Sequence, residues 1–108
     1  MKKNYRDLSD VELEEWRSKM LEKTERRDPG GEHRRALRTM QNPIRREILT
    51  LVKDKAQPIE YLASQLDLDA NTLEYHLQFL TDIFFITVES GLVDLTPLGV
   101  AYARNVLE

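Results

Sequence analysis

Two sets of side chains in this 108-residue chain have types and spacings suited to a chemical task. One is a group of five arginines, Arg34, Arg35, Arg38, Arg45 and Arg46; the other is the amide and hydroxyl run Asn71, Thr72, Tyr75 and Gln78. A guanidinium is a permanently charged, planar donor that matches phosphate oxygens, and outward-facing amides and hydroxyls can donate and accept hydrogen bonds. Together they suit recognition of a polyanion rather than the breaking of a bond. Enzymatic chemistry has no comparable footing: no Ser-His-Asp set, phosphate-cradling glycine loop or paired carboxylates in a plausible pocket can be read, so no catalytic residue is assigned.

Metal and redox chemistry are also unexpected. The chain has no cysteine, which excludes disulfides, thiolate zinc sites and thiol-based sensing. His33 and His76 lie far apart and neither has carboxylates at a metal-binding spacing, so no metal and no cofactor is expected. His76, on the flank of a helix, reads as structural rather than as a pH switch, and Trp16, Phe79, Phe84 and Phe85 read as core or interface.

Charge is divided along the chain. Residues 1–55 hold 15 of the 16 Lys and Arg against 11 acids, a net +4, whereas residues 56–108 hold Arg104 alone against 8 acids, a net −7. A polyanion would be attracted to the first half and repelled by the second. With 41% apolar and 32% charged residues, the chain has enough apolar material to fold and no stretch long enough to span a membrane. The first ten residues lack the apolar segment of a secretion signal, and a cytoplasmic location is the expectation.

The elements that must position these groups can be placed by periodicity and caps. Ser9 and Glu12 stand at capping-box spacing, which predicts a helix from Ser9 to about Arg27 with a narrow apolar stripe of Leu13, Trp16 and Met20. Asp28-Pro29-Gly30-Gly31 predicts its end and a linker, giving residues 1–31 as an N-terminal element and 32–108 as the main domain. A short helix over about Glu32 to Met40 follows. Asn42-Pro43 then starts another, running to about Asp54, with Ile44, Ile48, Leu51 and Val52 at helical spacing.

Pro58 predicts a helix carrying Ile59, Leu62, Ala63 and Leu66, and Asp69 caps a further one from Ala70 to about Thr81. Leu73, Leu77 and Leu80 point that last helix inward. Two short helices joined by three or four residues form a helix-turn-helix. From Phe84 the period becomes two: Phe84, Ile86 and Val88 alternate with Phe85, Thr87 and Glu89, Ser90-Gly91 turns, and Val93 and Leu95 return. Thr96-Pro97 starts a final helix to about Leu107. The fold class is therefore mostly α with a small antiparallel β-hairpin, a winged helix-turn-helix with an extra N-terminal helix.

Several runs make a resemblance specific. Asn42-Pro43-Ile44-Arg45-Arg46-Glu47-Ile48-Leu49, the helix at Ile59 to Leu68, the run Asn71 to Leu80 with its His76-Leu77 pair, and Leu95-Thr96-Pro97-Leu98-Gly99 resemble the ArsR-like winged helix superfamily of prokaryotic regulators, over about residues 36–107. The resemblance implies a homodimeric DNA-binding transcriptional regulator with two recognition helices in successive major grooves of double-stranded DNA. Asn71, Thr72, Tyr75 and Gln78 would then reach bases or nearby phosphates, Ser64 and Gln65 the backbone, and the five arginines the phosphates. Leu13, Trp16, Met20, Leu98, Tyr102 and Val106 are the expected dimer interface.

The same sequence departs from that pattern. The recognition helix contains Glu74 and neither Lys nor Arg, Asp67 stands where the family usually has Gly, and Glu89-Ser90-Gly91 replaces a basic wing tip. These residues define an alternative: a winged-helix protein-interaction module that does not bind DNA and presents an acidic surface to a basic partner.

Overall fold

The computed structural model describes residues 8–23 and 29–107. The helices are α1 (Asp10–Lys23), α2 (Pro29–Met40), α3 (Pro43–Leu51), α4 (Ile59–Leu66), α5 (Ala70–Asp82) and α6 (Pro97–Tyr102); α6 continues as a π-helical turn over Ala103–Leu107. Three short strands, β1 (Gln57–Pro58), β2 (Ile86–Glu89) and β3 (Leu92–Leu95), form one antiparallel sheet in the order β1-β3-β2. The result is the expected mostly helical winged helix-turn-helix.

Local chemistry accounts for most of the boundaries. The Ser9 hydroxyl accepts from the Glu12 amide and the Glu12 carboxylate accepts from the Ser9 amide, both at 3.2 Å, which closes the capping box before α1. Residues 24–28, where the expected end of this helix falls, lie outside the described residues. Asn42 caps α3 through Oδ1, which accepts from the amides of Ile44 at 2.9 Å and Arg45 at 3.4 Å, with Pro43 as the first helical residue.

Four boundaries differ from the reading of the sequence. The pair Gly30-Gly31 does not form a linker but lies inside α2, which starts at Pro29. Proline suits a first helical position, and each glycine weakens a helix by only about 1 kcal/mol. Helix α3 ends at Leu51 rather than Asp54, as Val52 leaves helical geometry. Pro58 does not open α4 but pairs with Leu92 as the second residue of β1. Its φ of −64° and ψ of 149° satisfy an extended strand and the cap of the following helix alike.

The fourth difference is the start of the wing. The amide of Phe84 bonds to the Thr81 carbonyl at 2.9 Å and that of Phe85 to the Leu80 carbonyl at 3.1 Å, with Phe84 at φ 63°. This is a Schellman end to α5 with a phenylalanine in the left-handed position usually held by glycine. It breaks the expected alternation. Phe85 and Ile86 are both buried, strand pairing starts only at Ile86, and Val88 is exposed.

Beyond that point the hairpin follows the reading: Ile86 pairs with Leu95 and Glu89 with Leu92, and Ser90 and Gly91 take φ values of 51° and 76°. Positive φ at both central residues is the requirement of a two-residue type I′ turn. The core gathers Ile48, Leu49 and Val52 from the α3 end, Leu62 from α4, Leu73, Leu77 and Leu80 from α5, and Ile86, Val93 and Leu95 from the wing. Leu8 and Leu13 join this cluster, and α1 packs on α6.

Candidate nucleic-acid interface

The helix-turn-helix is built by two polar terminations. Helix α4 ends in a Schellman motif: Asp67 is left-handed at φ 53° and ψ 48°, the Asp67 amide bonds to the Ser64 carbonyl, and the Leu68 amide bonds to that of Ala63. Asp69 then caps α5 by accepting from the Thr72 amide at 2.7 Å. Those hydrogen bonds from Thr72 hold the Asp69 carboxyl below its ordinary range. The turn is thus fixed without glycine.

Helix α5 has two distinct sides. Leu73, His76, Leu77 and Leu80 are buried, whereas Asn71, Glu74, Tyr75, Gln78, Phe79 and Asp82 are exposed and Thr72 is half-buried. The structure therefore brings the four expected base-reading residues onto or beside one accessible surface, with Ser64 and Gln65 exposed near the end of α4. Gln78 is partly committed: its amide donates to the Asp82 carboxylate at 2.9 Å. Tyr75 and Phe79 meet edge to face, with ring centroids 5.0 Å apart, and stay 57% and 37% exposed. The outer surface of α5 is therefore polar at its start and aromatic and acidic farther along.

The five arginines separate. Arg34, Arg35 and Arg38 are exposed along α2, and Arg46 is exposed on α3, where its guanidinium donates to the Met40 carbonyl at 3.2 Å. Arg46 also lies close enough to Tyr102 to act on its hydroxyl; burial nevertheless dominates and raises the Tyr102 pKa. Arg45 behaves differently. It is only 8% exposed, its Nε donates to His76 Nδ1 at 3.2 Å, and one terminal nitrogen donates to the Thr39 carbonyl at 3.4 Å. Its guanidinium carbon lies 3.9 Å from the Phe79 ring centroid. The expectation that Arg45 reaches phosphate meets a side chain turned into the domain, because its position falls on the same helical face as Ile48, Leu49 and Val52.

The expected interface residues separate as well. Leu13 is 3% exposed within its own chain, consumed by the packing of α1. Trp16, Leu98 and Tyr102 are half-buried, and the Tyr102 ring stands 5.1 Å from that of Phe85. Val106 is exposed, with Val11 exposed on α1. The side chain of Met20 lies outside the described residues. An Arg104–Asp10 ion pair at 3.2 Å adds a second tie between α1 and the C-terminal turn.

The Arg45–His76 contact and the exposed Phe79 were not picked out by sequence reasoning. The signal was present for the first: Arg45 keeps the phase of Ile48, Leu49 and Val52, and His76 that of Leu73, Leu77 and Leu80, so both fall on buried faces. Among the described residues, no group of three or more His, Asp or Glu could hold a metal ion, and no helix is long and apolar enough to cross a membrane.

No family model matches the chain, and no curated protein matches it. Two solved structures of HlyU from Vibrio cholerae N16961 are similar in fold. The reduced form is 20% identical with a TM-score of 0.61, covering 73% of this chain and 93% of HlyU. The other is 23% identical with a TM-score of 0.59, covering 73% and 96%. At these identities the likeness concerns architecture, and it agrees with the element order above: the chain has the winged helix-turn-helix fold.

Proposed function

We propose that the protein is a winged-helix transcriptional regulator of the ArsR-like kind that binds double-stranded DNA as a homodimer in the cytoplasm and catalyses no reaction. The observation that carries the reading is the accessible start of α5, where Asn71, Thr72 and Tyr75 stand together on a helix held by the Asp69 cap. The N-terminal part of a recognition helix is the part that meets base edges. Asn71 supplies a bidentate amide, Thr72 and Tyr75 hydroxyls, and Gln78 the amide oxygen left after its donation to Asp82. Ser64 and Gln65 serve the backbone.

Arg34, Arg35, Arg38 and Arg46 supply the sequence-independent attraction to phosphate, and Arg45 supports the helix from beneath. Two recognition helices on a palindromic site require a dimer, for which the exposed Val106 and the half-buried Trp16, Leu98 and Tyr102 offer apolar area.

One observation favours a second reading. The outer face of α5 also carries Glu74 and, past Tyr75, Phe79 and Asp82, with no cation, and the wing tip carries Glu89. Such a surface suits a basic protein partner better than a phosphate backbone.

Fluorescence-anisotropy titration with random duplex DNA, at low and at physiological salt, separates the two. A dimer that binds with a steep salt dependence, weakened by a combined Arg34→Ala, Arg35→Ala and Arg38→Ala change, meets the first reading. No binding at low salt rejects it in favour of the second.

A further inference from the structure

Among the described residues, the buried cation Arg45 is met by uncharged groups: the His76 imidazole, the Thr39 carbonyl, the Phe79 ring and, with its centroid 5.9 Å away, the Tyr75 ring. Among the described residues no carboxylate pairs with it. A buried charge is tolerated where hydrogen bonds and a ring face replace water, so each of these contacts matters to the position of the helix that bears it. Three of the four partners, His76, Tyr75 and Phe79, belong to α5, and two of them are the exposed aromatics of its outer face. The rings form one edge-to-face cluster: Tyr75 meets His76 at 5.4 Å and Phe79 at 5.0 Å.

The direction of the Arg45–His76 bond fixes a protonation state. Arginine can only donate, so Nδ1 of His76 must accept, which requires a neutral ring with its proton on Nε2. We infer that Arg45 and His76 are a positioning pair that locks α5 onto α3, setting how its outer face is presented, and that the lock holds only while His76 is uncharged. A protonated ring would turn an N–H toward the guanidinium and place two cations in contact.

Glu47 on α3, Glu60 on α4, Glu74 on α5 and Glu89 on β2 are all exposed, and Arg45 is the only charged group found to act on His76 among the described residues. Burial, and then Arg45, keep the His76 pKa below the ordinary imidazole value. The consequence for nucleic acid rests on the DNA-binding reading; the lock itself does not.

Long-range 1H–15N spectra of the full chain across a pH series give the test, since His33 is the only other histidine. The expected result is an Nε2–H tautomer for His76 with a midpoint below the ordinary imidazole value, and an upward move of the His76 midpoint in Arg45→Met. A His76 proton on Nδ1, or a midpoint that ignores Arg45→Met, overturns the lock. Should Arg45→Met not fold, His76→Gln keeps an acceptor and cannot titrate. Duplex affinity of the unaltered chain should then fall about tenfold relative to His76→Gln between about pH 7.5 and about pH 5.5. Parallel pH profiles overturn the lock's role in presentation. Absence of duplex binding at every pH overturns the DNA-binding reading alone, and the tautomer and midpoint still decide the lock.

Discussion

Two polar ties cross the apolar core, and they are made of different materials. On the wing side, the Thr96 hydroxyl donates to the Phe84 carbonyl and accepts from the Gly99 amide at 3.1 Å, while the Thr96 amide donates to the Phe85 carbonyl at 3.0 Å. On the α3 side, Arg45 reaches across to His76 and Phe79. The wing tie consists of neutral groups and backbone, so pH does not act on it and it needs only one side chain of the right size. The α3 tie depends on a charge and on a titrating ring. The first is a fastening; the second can respond to conditions.

That contrast can be tested by substitution, beginning with the largest effect. A Cβ at Gly99 would clash with the Phe85 carbonyl oxygen and lie 3.1 Å from Leu95 Cδ2. Since the nearest obstacle is backbone, Gly99→Ala should exceed the roughly 1–3 kcal/mol of ordinary overpacking and be plain in thermal unfolding. Thr96→Val keeps the shape but removes the hydroxyl that bonds the Phe84 carbonyl and the Gly99 amide, and should cost about 2 kcal/mol in denaturant unfolding at every pH tested.

Arg45→Met should cost somewhat less, roughly 1–2 kcal/mol at neutral pH, because it leaves a buried His76 acceptor unmet. Its distinguishing mark is pH dependence. The His76 pKa is lowered by folding, so its contribution is complete above the unfolded value of about 6.5 and is lost as pH falls through the folded one. Unfolding curves of the unaltered chain should therefore weaken below about pH 6.5, and those of Arg45→Met should weaken less. Equal acid sensitivity in both would erase the distinction between the ties. Asp67→Gly touches neither and should raise stability by at most about 1 kcal/mol, through relief of a left-handed aspartate; a loss would mean that the Asp67 side chain contributes beyond its backbone.

Part of the wing tie was visible in the sequence, since Thr96-Pro97 marks the start of the last helix, but its partners Phe84 and Phe85 were not. The α3 tie was hidden by residue type. Arginine is read as a surface cation, and only the phase it shares with Ile48 and Val52 signals otherwise. Likewise α4, α5 and the Ser90-Gly91 turn followed from spacing and caps, whereas the end of α5 did not, since a phenylalanine with positive φ carries no local signal. That Asn71, Tyr75 and Gln78 are exposed on α5 was legible because an amphipathic helix has only one free side. Its aromatic continuation was not, since a phenylalanine reads as core or interface, whereas Phe79 lies 37% exposed over the Arg45 guanidinium. The charge division is real in sequence but weaker in space, as one of the basic residues of the first half is turned inward.

The edge of the sheet carries a last consequence. Strand β1 is two residues long and ends in Pro58, which has no amide hydrogen to offer a further strand. A hairpin as small as β2–β3 would otherwise present an open ladder beside an exposed Leu92. With proline as the terminal rung, neighbouring copies have no template to extend along that side. A residue that reads as a helix opener thus also blunts the β1 edge of the sheet.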